Sequence, residues 1–261
     1  MTILLSIVVG LALFFMIGFA ARAVLQAFAP AHHKPTFRDM PLTASFGLAV
    51  ILLYIFVAVF APLIAPYGES EVLGAQFLPW ASPHYLGTDK LGRDMLTRLI
   101  YGARNTVGIA FATTALAFFV GSFLGIWAAL VGGWLDQWLS RFVDALMAIP
   151  ALIFSLLLLT IFGTSVLTLI LVIAAVDATR VYRLARSVAQ GIVVMDFIET
   201  ARLRGEGMWR LIRREILPNA MAPLVAEFGL RFCFVFLSIS ALSFLGLGIK
   251  PPTADWGSMV R

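Results

Sequence analysis

Most of the side chains that could do chemistry in this chain stand where they can do little alone. The three lysines, Lys34, Lys90 and Lys250, fall outside any Gly-x-x-x-x-Gly-Lys-Ser/Thr run, so no loop is built to cradle a nucleotide phosphate. There is no His-Glu-x-x-His and no Gly-x-Ser-x-Gly. His32, His33 and His84 show no ligand spacing with other His, Cys or carboxylates, so no metal site is expected. Asp89 and Asp94, in the run Leu86-Gly-Thr-Asp-Lys-Leu-Gly-Arg-Asp94, lack the alternating acids and terminal Glu of a calcium loop. The single cysteine, Cys233, can make no internal disulfide and lies in an apolar run, where a small buried hydrophobe is expected. No catalytic residue and no cofactor of the chain's own are therefore expected. Two arrangements remain. Glu227 and Arg231 are four apart with the acid nearer the amino end, the favoured order for an ion pair along a helix. Residues 196–218 form the one long polar run, rich in arginine and divided by Gly205.

The elements that must hold that run can be read from its punctuation. Asp196 has N-cap chemistry and Glu199, three residues on, has the spacing of a capping box. A helix is predicted to start there and to stop at Gly205, where a residue without a β-carbon can turn left-handed. Met208, Leu211, Ile212 and Ile216 then share one face of a second helix, Arg210, Arg213 and Arg214 lie off it, and Pro218 is expected to close it. The predicted product is an elbow of two short helices.

Everything around the elbow is composed for lipid. Of 261 residues 61% are hydrophobic and only 13% charged, and the mean hydropathy is +0.96, which excludes an ordinary soluble domain. The net charge of +5 would suit nucleic acid in a soluble protein, but here it bears on membrane orientation, and no nucleic-acid partner is expected. Apolar runs predict spans over residues 3–29, 42–64, 107–131, a stretch reaching Phe162, a helix from Val166 continuing through Asp177 to Arg186, and 220–248. Charge follows the first run and does not precede it, which favours a retained span over a cleaved signal. Pro62 and Pro66 should end the second. Gly121 and Gly125 are placed for close approach of a neighbouring helix. Gly132 and Gly133 should end that span, a short turn through Asp136, Arg141 and Asp144 should come next, and Pro150 should kink the next span. Arg180, Arg183 and Arg186, three apart, are expected to anchor a helix end among headgroups.

The order Glu199-Thr200-Ala201, then Gly205, then Leu217-Pro218 resembles the EAA loop of bacterial ABC importer permeases, with Thr200 in place of the first Ala and Glu215 where an aliphatic is usual. Residues 86–94 and the runs 241–248 and 251–257 resemble the outer-surface signatures of the dipeptide, oligopeptide and nickel branch, the dipeptide-permease C type. The resemblance covers residues 42–261. It implies an all-α, polytopic transmembrane bundle of the type I ABC importer permease fold, with residues 67–106 as an outer loop and 178–219 as a cytoplasmic coupling loop. Residues 1–41 would add an extra amino-terminal span and a basic linker, and the end at Arg261 would leave out a final span of the branch. It further implies a second homologous permease, two ATP-binding subunits holding ATP and Mg²⁺, and an external solute-binding protein. The place would be the bacterial inner membrane and the cargo peptides or related small solutes. Glu199, Thr200, Ala201, Gly205, Leu217 and Pro218 would shape the coupling loop, and Leu203, Met208, Trp209 and the arginines would touch the ATPase. Pro150, Glu227 and Arg231 are candidates for lining or gating the pathway.

Orientation can be read from the basic residues. Of the 19 Lys and Arg, this topology puts Arg22, Lys34, Arg38, Arg141, Arg180, Arg183, Arg186, Arg202, Arg204, Arg210, Arg213 and Arg214 inside and Lys90, Arg93, Arg98, Arg104, Lys250 and Arg261 outside, 12 against 6. Two other classes compete: a secondary transporter or channel driven by an ion gradient, and a membrane scaffold without transport. The first would want intramembrane acids in both halves, and Glu227 is the one candidate seen in the sequence.

Overall fold

The computed structural model describes residues 15–20, 22–23 and 40–260. Most of the expected amino-terminal span and its basic linker lie outside the described residues, as do His32 and His33. The chain divides into two units, Met1–Ile64 and Ala65–Arg261.

In the first unit, α1 (Leu42–Ile64) is a 23-residue helix. At 1.5 Å per residue it is about 35 Å long, enough for a ~30 Å hydrocarbon layer. Pro62 is accommodated in its last turn and the helix ends two residues later, ahead of Pro66.

The second unit begins with an irregular segment over residues 65–94. The Asp94 carboxylate accepts a bond from the Thr97 N–H at 2.7 Å and so starts α2 (Met95–Gly102). A π-helical turn, Ala103–Val107, joins α2 without a break to α3 (Gly108–Val131). The span therefore runs from Met95 to Val131, and the expected outer loop gives up its last dozen residues to it. Nothing in that stretch breaks a helix once Asp94 has capped it.

Gly132 and Gly133, at φ +65° and +62°, do end the span. In place of the expected short turn stands the 15-residue helix α4 (Gly133–Met147). Its axis is bent 88° from that of α5 (Ala151–Phe162). Pro150 lies in the break as the N-cap of α5, so it divides two helices and does not kink one. The 28-residue α6 (Val166–Val193) is capped by the Ser165 hydroxyl accepting from the Thr168 N–H. After α7 (Asp196–Leu203), α8 (Met208–Arg210), a π-helical segment Leu211–Ile216 and α9 (Leu217–Phe244) form one continuous helix. A turn led by Gly246 (φ +85°) brings the chain to the short α10 (Trp256–Met259). Among the described residues, three helices are long and apolar enough to cross a membrane, or four if the bent pair counts as one.

The closest helix pair is α3 with α6, and its cause is legible in two glycines. A Cβ at Gly121 would stand 2.6 Å from the Ala178 carbonyl oxygen, and one at Gly125 would stand 2.6 Å from that of Tyr182. Only hydrogen fits there, so the two backbones touch. Two apolar clusters mark the ends of the bundle. One gathers Ala110, Leu159, Leu169, Ile173, Ile239 and Leu242; the other gathers Ile126, Ala185, Ile192, Ile198, Ile216 and Leu224 around α7. Cys233 is exposed on α9, against expectation. In a membrane helix the outward face is itself apolar, so an apolar run does not imply burial.

Candidate functional site

The elbow over residues 196–218 is built differently at its two ends. At the start, Met195 is the extended N-cap (φ −81°, ψ 145°), so Asp196 is the first helical residue and neither it nor Glu199 caps the helix with its side chain. The capping box is thus out of register by one residue. The two acids still occupy the first turn, where the helix dipole favours negative charge. Thr200 donates its hydroxyl to the Asp196 carbonyl at 2.9 Å.

The close of α7 at Gly205 agrees with the sequence reading. Gly205 has φ +77°, its N–H donates to the Arg202 carbonyl at 2.9 Å, and the Glu206 N–H donates to that of Ala201 at 3.2 Å. That pair of bonds is a complete Schellman closure. No atom lies within 4 Å of a Cβ built on Gly205, so the left-handed backbone alone demands glycine.

Five apolar side chains fasten the elbow to the bundle. Ile198 and Ala201 of α7 are fully buried, and Leu211, Ile212 and Ile216 of the second helix are buried too, with Ile198 in one cluster with Ile192, Ile212 and Ile216. The rest faces outward: Leu203 is 83% and Trp209 62% exposed, with Met208, Glu199, Thr200 and the arginines at 202, 204, 210, 213 and 214 also exposed. The Trp209 ring lies 6.4 Å from that of Phe123 on α3, so it leans on the bundle while Leu203 projects freely. Val194, Met195 and Phe197 extend this apolar surface at the elbow's entry and were not singled out from sequence; an apolar Val-Val-Met run beside a polar helix was the available signal.

Pro218 does not close the second helix. The π-helical segment Leu211–Ile216 stands immediately ahead of it, and the chain continues as one helix to Phe244. Proline supplies no N–H and crowds the carbonyl four residues back; the wider π turn relieves both faults. The elbow is therefore one short helix hinged to the stem of a long one, with Leu217 half-buried and Pro218 exposed on that stem.

A second cluster lies along α6 and α9. Arg231 Nε is 2.7 Å from Glu227 Oε1, as the spacing predicts, and Arg231 Nη1 is 3.7 Å from Asp177 Oδ1. Arg180 Nη1 donates to the same Asp177 oxygen at 3.0 Å. Asp177 is 3% exposed, and its Oδ2 is buried without a hydrogen-bond partner. Asp177 is thus a second acid in contact with the Arg231 that pairs with Glu227, unmarked in the sequence because it closes an apolar run that reads as the end of a span. Of the three arginines expected among headgroups, Arg180 pairs with Asp177, and Arg186 clasps Asp136 of α4 through Nε to Oδ1 (2.5 Å) and Nη2 to Oδ2 (2.6 Å). Beside Arg180, and lined also by Ala151 next to Pro150, a cleft of about 210 Å³ opens between α5 and α6. Pro150 borders this group by position; Glu227 and Arg231 belong to it by contact.

At the opposite end the structure unites two stretches some 150 residues apart. The Glu69 carboxylate accepts from the Asn105 side-chain amide at 2.9 Å and from the Ala254 N–H at 2.6 Å. Thr106 donates to Asp255 at 2.9 Å, Arg98 donates to the Pro252 carbonyl at 3.3 Å, and the Trp256 indole donates to the Leu99 carbonyl at 2.9 Å. Beneath this cap, Asp89 accepts from the N–H groups of Leu91 and Arg93 and from the Arg93 guanidinium. Burial by itself would raise the Asp89 carboxyl, but these bonds outweigh it and hold the pKa below its ordinary value.

Comparison with known proteins agrees with this architecture. Residues 121–261 match the family described as "Binding-protein-dependent transport system inner membrane component". The chain is 35% identical over 221 residues to the di/tripeptide transport system permease protein DppC of Pseudomonas aeruginosa, covering 82% of this chain and 73% of that one. It is 35% identical over 215 residues to the dipeptide transport system permease protein DppC of Alkalihalophilus pseudofirmus, covering 82% and 71%. It is 31% identical over 224 residues to the probable D,D-dipeptide transport system permease protein DdpC of Escherichia coli, covering 85% and 75%. With an all-α bundle, several apolar spans and a matched region that contains the whole elbow, the chain belongs to the binding-protein-dependent inner membrane components, the multi-pass permease subunits of bacterial ABC importers.

Proposed function

We propose that this permease forms one half of a translocation pathway for short peptides, paired with one homologous permease, and that its elbow carries work into the membrane from one of two ATP-binding subunits. An external solute-binding protein delivers the cargo, and ATP with its Mg²⁺ binds in the partner subunits. The sequence supports that division, having no glycine-rich loop of its own. The names of the relatives support a peptide cargo. The cluster of Asp177, Arg180, Glu227 and Arg231 supports a pathway beside α6 and α9, with Pro150 at the corner of its cleft.

The observation that carries the coupling role is the Schellman-closed elbow itself. Its buried anchors, Ile198 and Ala201 on α7 and Leu211, Ile212 and Ile216 on the second helix, seat it against α6 and α9, and its projecting Leu203 and Met208, ringed by arginines, offer a desolvatable contact. Force applied to Leu203 moves the long helices and not a floppy loop.

The test is made at Gly205 in the assembled importer, reading uptake of a labelled dipeptide and ATP hydrolysis stimulated by the binding protein. Gly205→Val puts a β-branched residue in the left-handed region, and both activities are expected to fall by ~10-fold or more, the equivalent of roughly 1.4 kcal/mol of misplacement. Gly205→Asn, which tolerates that backbone, should keep most of both. Undiminished uptake in a fully assembled Gly205→Val importer would remove the elbow from the mechanism.

A further inference from the structure

The helix α4 crosses the bundle at the elbow end, between the last turn of α3 and the first of α5. Both of its ends are sharp: its N-cap Gly132 and first residue Gly133 both have positive φ, and the 88° bend succeeds it. Since α5 leads away from this end, with Leu159 in the cluster at the opposite end, α4 runs across the direction of the spans.

Its two faces differ in kind. The inward face carries Asp136, clasped by Arg186, Ser140, 3.0 Å from the Tyr182 hydroxyl, and Val143, packed with Ala128 and Tyr182. The outward face carries Trp134 (73% exposed), Gln137, Trp138 (61%), Arg141 and Phe142 (59%), recurring at three and four residues. This mixture of tryptophan with amide and guanidinium is neither a hydrocarbon surface nor a water surface. By contrast, α5 has no charged residue, tryptophan or tyrosine. Tryptophan and arginine together suit the layer where acyl chains give way to headgroups: the indole buries its ring and keeps its N–H wet, and the guanidinium reaches phosphate.

We propose that α4 is an interfacial helix, lying in the headgroup layer of the leaflet at the elbow end with Trp134, Trp138 and Phe142 toward the acyl chains and Arg141 toward phosphate. The partner is the phospholipid surface itself. Through the Asp136–Arg186 clasp, about two turns before α6 ends, the depth of α4 fixes the height of the stem from which the elbow projects. This placement is independent of the coupling role, because it concerns depth alone.

Nitroxide labels test it in the assembled importer, reconstituted into phospholipid bilayers, on a Cys233→Ser background. Trp134→Cys, Trp138→Cys and Phe142→Cys are compared with Leu157→Cys on α5 as a hydrocarbon reference and with Gln76→Cys, exposed in the irregular segment 65–94, as a water reference. Collision rates with oxygen and with a water-soluble nickel chelate are expected to place all three at one common depth between the references, with an oxygen-to-nickel ratio severalfold above that at 76. A ratio equal to that at 76 would overturn the proposal. So would a steady gradient from 134 to 142, as along a spanning helix, or immobile labels shielded from both colliders, as under another subunit. The three sites report separately, so failure of one variant to assemble leaves the result decidable.

Discussion

The elbow and the cap joining residues 69–106 to 252–256 sit at opposite ends of the bundle and are held by opposite means. In the cap, Glu69, Asp255, Arg98 and Trp256 make directional bonds to groups about 150 residues or more away. Among the described residues, the elbow's own polar bonds are all local, within five residues, and its hold on the rest of the protein is the apolar burial of Ile198 and Ala201 on α7 and of Leu211, Ile212 and Ile216 on the second helix. Directional bonds between distant segments resist sliding and rotation alike. Apolar burial of knobs such as Ile198 resists withdrawal but, being non-directional, fixes no orientation by itself. The contrast fits one end held as a unit and, under the proposed coupling role, another that takes up motion while staying attached.

Breaking each attachment at its centre is the first way to test that contrast. Ile198→Ala removes the knob and leaves a cavity, with an expected loss of about 2–4 kcal/mol in the stability of the elbow's packing. The measurement is hydrogen exchange over residues 192–218 in the assembled importer, where protection should fall while the cap is unchanged. A loss of protection spread evenly over both ends would mean that the elbow is not a separate attachment.

Next in size is Asp255→Ala. It deprives Thr106 and the Ser258 N–H of their shared acceptor, a cost of about 1–3 kcal/mol for buried donors left unpaired. Exchange should rise at residues 99–107 and 250–259, and the denaturation midpoint of the purified complex should drop, with the elbow still protected. If only the residues next to 255 loosen, the cap is a set of independent contacts and the comparison weakens.

Much of this architecture was legible because its causes are local. The run over 42–64 is α1 to the residue, Gly121 and Gly125 do admit a neighbour, and Gly205 does turn left-handed where the helix before it must end. What escaped depends on partners the chain meets only after folding. Asp177 and Arg231 lie 54 positions apart with no pattern linking them, and Asp136 gives no sign that it will take Arg186 from the headgroups. The cap is harder still, since three of its five bonds named above end on a backbone group, which every residue carries. Pro218 misled for another reason: proline's helix-breaking rule assumes α geometry, and a single π-helical segment suspends it. Within the elbow, the shape was therefore readable and its continuity with α9 was not.

The smallest effect separates the two ends by pH. Asp89 has a folded-state pKa below its unfolded value of about 3.9, because three bonds to the charged carboxylate outweigh its burial. A depressed carboxyl contributes stability that is fully present above the unfolded pKa and is lost as pH falls through the folded one. The turn over residues 87–94 should therefore hold at pH 5 and above and begin to loosen below about pH 4, seen as faster exchange at the Leu91 and Arg93 amides. Asp89→Asn separates this carboxylate from the general effect of acid. Its amide oxygen can still accept both N–H bonds, which share Oδ1, but more weakly than a charged carboxylate, and the NH2 in place of Oδ2 cannot accept from the Arg93 guanidinium, so exchange at those amides should be faster at neutral pH and should lose most of its dependence on acid. If the variant keeps the same acid dependence, another group controls the loop and the cap's stability does not run through Asp89.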